Sequence, residues 1–208
     1  YNYQLSLYMI TPDAYDAFIK SGYKDIYVFN EASSGVEGAG GAFLIAQSGG
    51  INNGSDSRSP WFNTDLGIDN LKFSNVYSTT GESGASTAEY TVTFDIYEPY
   101  GFSFLSNLKR AGDAMAEYSK NLNSALTSSV NPLLQHFILA IRFYGYDDSG
   151  NLLTGNEVVD NGILDPTAGG SGDTSGLFTK YLDLTINTIK FTLDGKSTRY
   201  ACEAETIS

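Results

Sequence analysis

The sequence predicts a mainly β domain with one main α-helix. Three observations carry that reading. In YTVTFDIYEPYG (90–101), Val92, Phe94 and Ile96 alternate with Thr91, Thr93 and Asp95, the two-residue period of a half-buried strand. Directly after it, Leu105, Leu108, Ala111, Met115 and Leu122 recur at roughly helical spacing. Elsewhere apolar residues come in short runs punctuated by Gly, Ser, Asn and Asp, so this helix is expected to pack against a β body.

Taken in order, YNYQLSLYMI opens the chain as a strand with Tyr3, Leu5, Leu7 and Met9 on one face. Thr11-Pro12-Asp13 supplies a cap, a proline at the first helical position and an early acid. A short helix follows through Ala14, Phe18 and Ile19, ended by Gly22. DIYVFN (25–30) is a strand candidate. The glycine-rich EASSGVEGAGGA after it lacks the lysine and Ser/Thr of a phosphate-binding loop. AFLIAQSGG (42–50) reads as a strand entering a Gly-Gly turn. Trp61 beside Pro60 is expected to anchor a polar loop to the core, in preference to serving as a ligand platform. LKFSNVYS (71–78) is a strand with Leu71, Phe73 and Val76 inward, and TTGESGAST is a polar loop.

The corner after the central strand is Glu98-Pro99-Tyr100-Gly101. Pro99 has no N–H for a ladder and Gly101 tolerates unusual dihedrals, so strand and direction both end there. Ser103 is the expected N-cap. The Glu98 carboxylate is expected to reach backbone N–H groups at the helix N-terminus, where the dipole favours an anion. Farther on, LLQHFILAIRFYGY (133–146) is apolar on both faces and reads as a strand covered on each side. The glycine-rich 160–176 segment is expected to be an exposed loop. The end of the chain reads as a hairpin about Asp194-Gly195, with Ile189, Phe191 and Leu193 alternating before it and Tyr200, Cys202 and Ala204 after it.

Chemistry is sparse. Among 208 residues, 24 acids oppose 12 bases for a formal charge of −12, which speaks against tight nucleic-acid binding. No apolar run approaches the roughly 18 residues of a spanning helix, so no membrane contact is expected. His136, the single histidine, reads as a hydrogen-bonded core or interface residue. Cys202, the single cysteine, reads as a small hydrophobe on an apolar face, and a dyad of the two would need neighbouring strands and an activated thiol. No serine sits in a nucleophile elbow. Asp147, Asp148 and Asn151 are the weak metal candidates, but Asp-Asp-Ser-Gly-Asn lacks EF-hand spacing and suits a tight turn. The expectation is no enzyme, no cofactor and no metal.

Five stretches, LYMITPDAYD (7–16), FLIAQSGGINN (43–53), FDIYEPYGFSFLSNL (94–108), FILAIRFYGYDDSGN (137–151) and INTIKFTLDGKSTRYACEAE (186–205), carry a further signal. Together they resemble baseplate hub and tail-tube proteins of contractile-tailed bacteriophages. The most specific part is E-P-Y-G-x-S-F-L followed by R-F-Y-G-Y-D. The resemblance implies a barrel-like β-sandwich tube domain with a flanking helix. It also implies a ring of copies, trimer or hexamer, around a channel through which DNA passes without specific binding. Tail tube and spike proteins would be the partners, in a virion baseplate assembled from chains made in the bacterial cytoplasm. Residues 1–208 would be about one such domain, the N-terminal part of a longer hub protein, with 160–176 as a contact arm. The alternative expectation is a carbohydrate-binding β-sandwich, drawing on fifteen tyrosines, Trp61 and the 147–151 loop.

Overall fold

The computed structural model describes residues 2–20, 42–48, 62, 66–78, 87–122, 135–144, 146, 148–150 and 178–206. Gly22, the 25–30 strand candidate, the glycine-rich stretch at 31–41, Trp61, the loop at 79–86, Asp147, Asn151 and the 160–176 segment lie outside them.

Among these described residues, seven strands and two helices follow in the order β1 (Asn2–Ile10), α1 (Pro12–Lys20), β2 (Ala42–Ser48), β3 (Gly67–Ser78), β4 (Thr87–Pro99), α2 (Phe104–Leu122), β5 (His136–Tyr144), β6 (Phe178–Asp194) and β7 (Ser197–Thr206). All strand pairs are antiparallel, in the order β2-β1-β5-β6-β7-β4-β3. Mainly β, with helices packed on it, is therefore the observed class.

The long strand β6 belongs to two half-sheets. Its residues 178–184 pair with β5, while 184–194 pair with β7. Just past that changeover, within the β7-paired part, the register slips at Ile186/Thr188, leaving Asn187 as an extra residue. Such a bulge bends a strand and raises its twist, which is how one strand can serve two sheets. One half is β2-β1-β5-β6 and the other is β6-β7-β4-β3. The outermost strands also touch. The Gln47 N–H donates to the Leu66 carbonyl at 2.9 Å, and the Ile68 N–H to the Ser48 hydroxyl at 2.5 Å.

Two cores follow from this layout. The larger gathers Leu5, Leu7 and Met9 of β1, Phe137 and Leu139 of β5, Val92, Phe94 and Ile96 of β4, and Tyr200, Cys202 and Ala204 of β7. Against them α2 sets Phe104, Leu108, Ala111 and Met115, a stripe at the helical period. The smaller core lies on the opposite face, where Phe18 of α1 meets Tyr8, Ile10, Ala42, Leu44, Ile138 and Ala140. The strand expected at 133–146 is described over His136–Tyr144, where Phe137 and Leu139 face the larger core and Ile138 and Ala140 the smaller.

Some sequence expectations are corrected here. β1 is buried on both faces, not one, because α1 returns over it. Tyr3 is exposed, as is Ile19. Phe73, expected inward, is half exposed. It pairs with Val92 on the core side, but on an edge strand where no described residue covers it. The hairpin turn is Gly195-Lys196, with Asp194 and Ser197 paired across it, one residue later than Asp194-Gly195. No described helix is long and apolar enough to cross a membrane.

Candidate functional site

At the corner, Glu98 faces inward with Phe94 and Ile96 and is 1 % exposed. A carboxylate in that position needs donors on every side. The Ser103 N–H lies 2.8 and 2.9 Å from its two oxygens, and the Ser103 hydroxyl donates to Oε1 at 2.6 Å. The Phe104 N–H donates to Oε2 at 3.0 Å, and the Tyr200 hydroxyl reaches the same oxygen at 2.7 Å. Burial pulls the carboxyl pKa upward. The hydrogen bonds from Ser103, Tyr200 and Phe104 more than offset it, leaving the group below its ordinary value of 4.5.

Ser103 therefore occupies the N-cap position, and its carbonyl accepts the Asn107 N–H at 2.9 Å. Its hydroxyl donates to Glu98, so the cap on α2 is supplied by a residue five positions upstream. Gly101 is also needed for a different reason than expected. The left-handed residue of the corner is Tyr100, with φ of 57° and 91 % exposure. A Cβ on Gly101 would stand 2.5 Å from Glu98 Oε1, so glycine is required by the close approach of the carboxylate. The corner is tied to the β6–β7 hairpin. The Tyr100 N–H donates to the Lys196 carbonyl at 3.2 Å, and the Thr198 hydroxyl to the Gly101 carbonyl at 2.5 Å.

The other named residues are scattered. His136 stacks on Tyr15 at 4.0 Å, with Nδ1 3.5 Å from Asp183 Oδ1. Tyr15 donates to the other Asp183 oxygen. Cys202 lies on β7, separated from β5 by β6, and faces the larger core while His136 alternates with the core-facing Phe137. Burial, then the charge of Asp95, push its thiol up to about 12. The strands of this pair are not neighbours and the thiol is not activated. Asp148 is exposed in a turn whose Gly150 has φ of 83°. Among the described residues no three His, Cys, Asp or Glu side chains group as a metal site.

Sequence reasoning missed Asp95. It alternates with the core residues of β4, which predicts an outward position, yet it is 4 % exposed. Arg199 on β7 lies over it with Nη2 at 2.7 Å from Oδ2, and Asn70 Nδ2 donates to the same oxygen at 2.6 Å. Burial raises its pKa, and Arg199, Asn70 and Lys72 bring it below the ordinary 3.8. Asn70 reaches inward because it sits at a register slip of β3 with φ of 55°. The Asp69-Asn70 pair is the signal that was available, since this dipeptide favours turns and bulges.

The half-sheet β6-β7-β4-β3 has two unlike faces. One packs on α2. The other carries Lys72 and Ser74 of β3, Thr91, Thr93, Asp95 and Tyr97 of β4, Arg199, Ala201, Glu203 and Glu205 of β7, and Thr188, Lys190 and Thr192 of β6. Both edges are open: among the described residues nothing pairs with β6 beyond Leu184 on its β5 side, or with the outer side of β3 beyond Ile68. Beside the open β6 edge, Phe191, Leu193 and Phe102 expose apolar surface, with the Phe102 and Phe191 rings 4.9 Å apart. Comparison with protein-family models and with curated proteins found no match to this chain.

Proposed function

We propose that this chain is a structural protein of a phage tail baseplate hub, one copy of a ring around the DNA channel between tail tube and spike. The observation that carries it is the four-stranded half-sheet, whose two edges have no partner among the described residues over most of their length, with one polar face and one face closed by α2. An open, long strand edge is a liability unless a neighbour covers it. Four strands make the match automatic. β6 runs against β7, β7 against β4 and β4 against β3, so in a cyclic ring β3 of one copy meets β6 of the next in antiparallel sense. The polar face then turns to the bore. In the same reading the whole sheet closes as a barrel-like sandwich, which the hydrogen bonds between β2 and β3 support.

The test is assembly. In a two-residue hairpin the pair flanking the turn is hydrogen-bonded, here Asp194 and Ser197, so the amides of Leu193, Phe191 and Ile189 point toward the open edge. Leu193→Pro removes one outward amide without touching the β6–β7 ladder. By sedimentation and negative-stain electron microscopy the parent, with its hub and tube partners, is expected to form rings and L193P to stay dispersed with an unchanged circular-dichroism spectrum. A parent that remains a monomer with those partners sinks the proposal, and saturable glycan binding by that monomer favours a sugar-binding module instead.

A further inference from the structure

A groove of 320 Å³ opens on the polar face of the same half-sheet. It exists because Ala201 contributes only a methyl group in the middle of longer side chains. Lys190 lies beside Ala201 on β6 and Asp95 beside it on β4, with Arg199 and Glu203 two positions away along β7 and Lys72 across from Thr93. All six line the groove, together with Asn70, Thr93 and Thr188. Three of the chain's 12 basic residues therefore meet at one concavity of a molecule whose formal charge is −12.

Which of these charges is free to act on a ligand is decided by the geometry. Asp95 is spent on Arg199 and Asn70 at 2.7 and 2.6 Å, and it fixes the guanidinium at the wall of the groove. A guanidinium has five N–H donors, so others remain for a second acceptor. Neither Lys72 nor Lys190 forms an ion pair among the described residues, although the Lys72 charge also acts on Asp95 at longer range. The hydroxyls of Thr93 and Thr188 add neutral donors. Glu203 is the one uncommitted carboxylate and stands against an anion.

We infer that this groove is a binding site for a phosphate-class oxyanion, held by Lys72, Lys190 and Arg199, with Asp95 as the positioning residue. The chemistry is that of one tetrahedral anion receiving charged donors from three strands. Its source is either free phosphate or a phosphodiester of nucleic acid. The site belongs to the single chain and can be tested without the ring, but it lies on the face that the proposed ring turns to the bore, so tight duplex binding there would count against free passage of DNA.

Backbone amide shifts of Thr93, Lys190 and Ala201 report on the groove. The chain is titrated with inorganic phosphate, and separately with a short DNA duplex, with chloride holding the ionic strength constant. Saturable shifts confined to the groove are expected, weakened several-fold in the double variant K72Q/K190Q and strengthened in Glu203→Gln. A loss of fold lowers binding in every variant, so the opposite sign for E203Q separates binding from damage. With duplex the site holds a single phosphate, so losing that contact should make the dependence of log Kobs on log salt shallower by about 1. A response to phosphate alone assigns the site to small oxyanions, and a response to duplex, with or without free phosphate, to the phosphodiester. Unsaturable shifts with both, or equal binding by parent and K72Q/K190Q, overturn the site.

Discussion

Glu98 joins three pieces of backbone through one carboxylate: the end of β4, the first turn of α2 and, by way of Tyr200, strand β7. Its charge is stabilised where it stands, so its folded pKa lies below the unfolded one. The sign follows from linkage. Such a group contributes stability above its ordinary value of 4.5 and loses that contribution as pH falls through the depressed folded value. Glu98→Gln should lower unfolding stability at neutral pH by about 2–4 kcal/mol, since one oxygen is exchanged for an amide facing N–H donors. Urea melts from pH 7 to 3 check this. The parent should weaken below about pH 4.5 more steeply than E98Q, with the remaining slope in E98Q due to Asp95 and other carboxylates. At the alkaline end burial, then Glu98, raise the Tyr200 phenol above its ordinary 10.0, so stability present below pH 10 is lost as the pH climbs beyond it.

This corner also shows what a single sequence conveys. The placement of a turn at 98–101, a cap at Ser103 and an acid aimed at the helix could be read from proline, glycine and the onset of a helical period. The donation from the Tyr200 hydroxyl could not, because it comes from β7, about one hundred positions downstream. Gly101 looked like a dihedral requirement and is a clearance requirement. That distinction exists only once the Glu98 side chain has folded back over it. Asp95 and Arg199 were illegible for the same reason, being partners on β4 and β7 whose register no local pattern specifies.

Among the elements, α2 is the one that closes the larger core. Periodicity located it, though Phe104, just before the first residue of the expected stripe, turned out to be among its most buried side chains. Its ring lies 4.8 Å from Tyr200 and 6.3 Å from Phe62. Phe104→Ala should cost about 3–5 kcal/mol by leaving a cavity between helix and sheet. Phe102→Ala, two residues earlier on the exposed side, should change stability by less than about 1 kcal/mol. Equal midpoints in thermal melts of these two variants would contradict this packing of α2. The strands are a different matter. Alternation is visible in β4 and β7, but it announces neither the change of partner in β6 at Leu184 nor the one-residue slip at Asn187 beside it.

For the whole molecule, the proposed ring makes a statement about protection. In isolated chains the amides of Ile189, Phe191 and Leu193 point to an open edge and should exchange with solvent on the time scale of a surface strand. On assembly they should slow by orders of magnitude, together with outer amides of β3, while amides between β4 and β7 barely change. Hydrogen-exchange measurements on the free and assembled forms provide the comparison. Slowing confined to the β3–β4 or β4–β7 ladders, with the β6 edge still fast, would place the subunit contact elsewhere.

The position of β1 has a consequence for biosynthesis. It is made before the other six described strands, yet its place lies between β2 and β5, with Ile10 against His136 and Asn2 against Tyr144. Until β5 has been translated, only β2 among its two strand neighbours can pair with it, and the other edge of β1 waits without its partner. Closing so wide a loop is entropically slow, which puts this protein among those that mature in milliseconds to seconds. Its greatest exposure to aggregation thus comes before β5 has been synthesised.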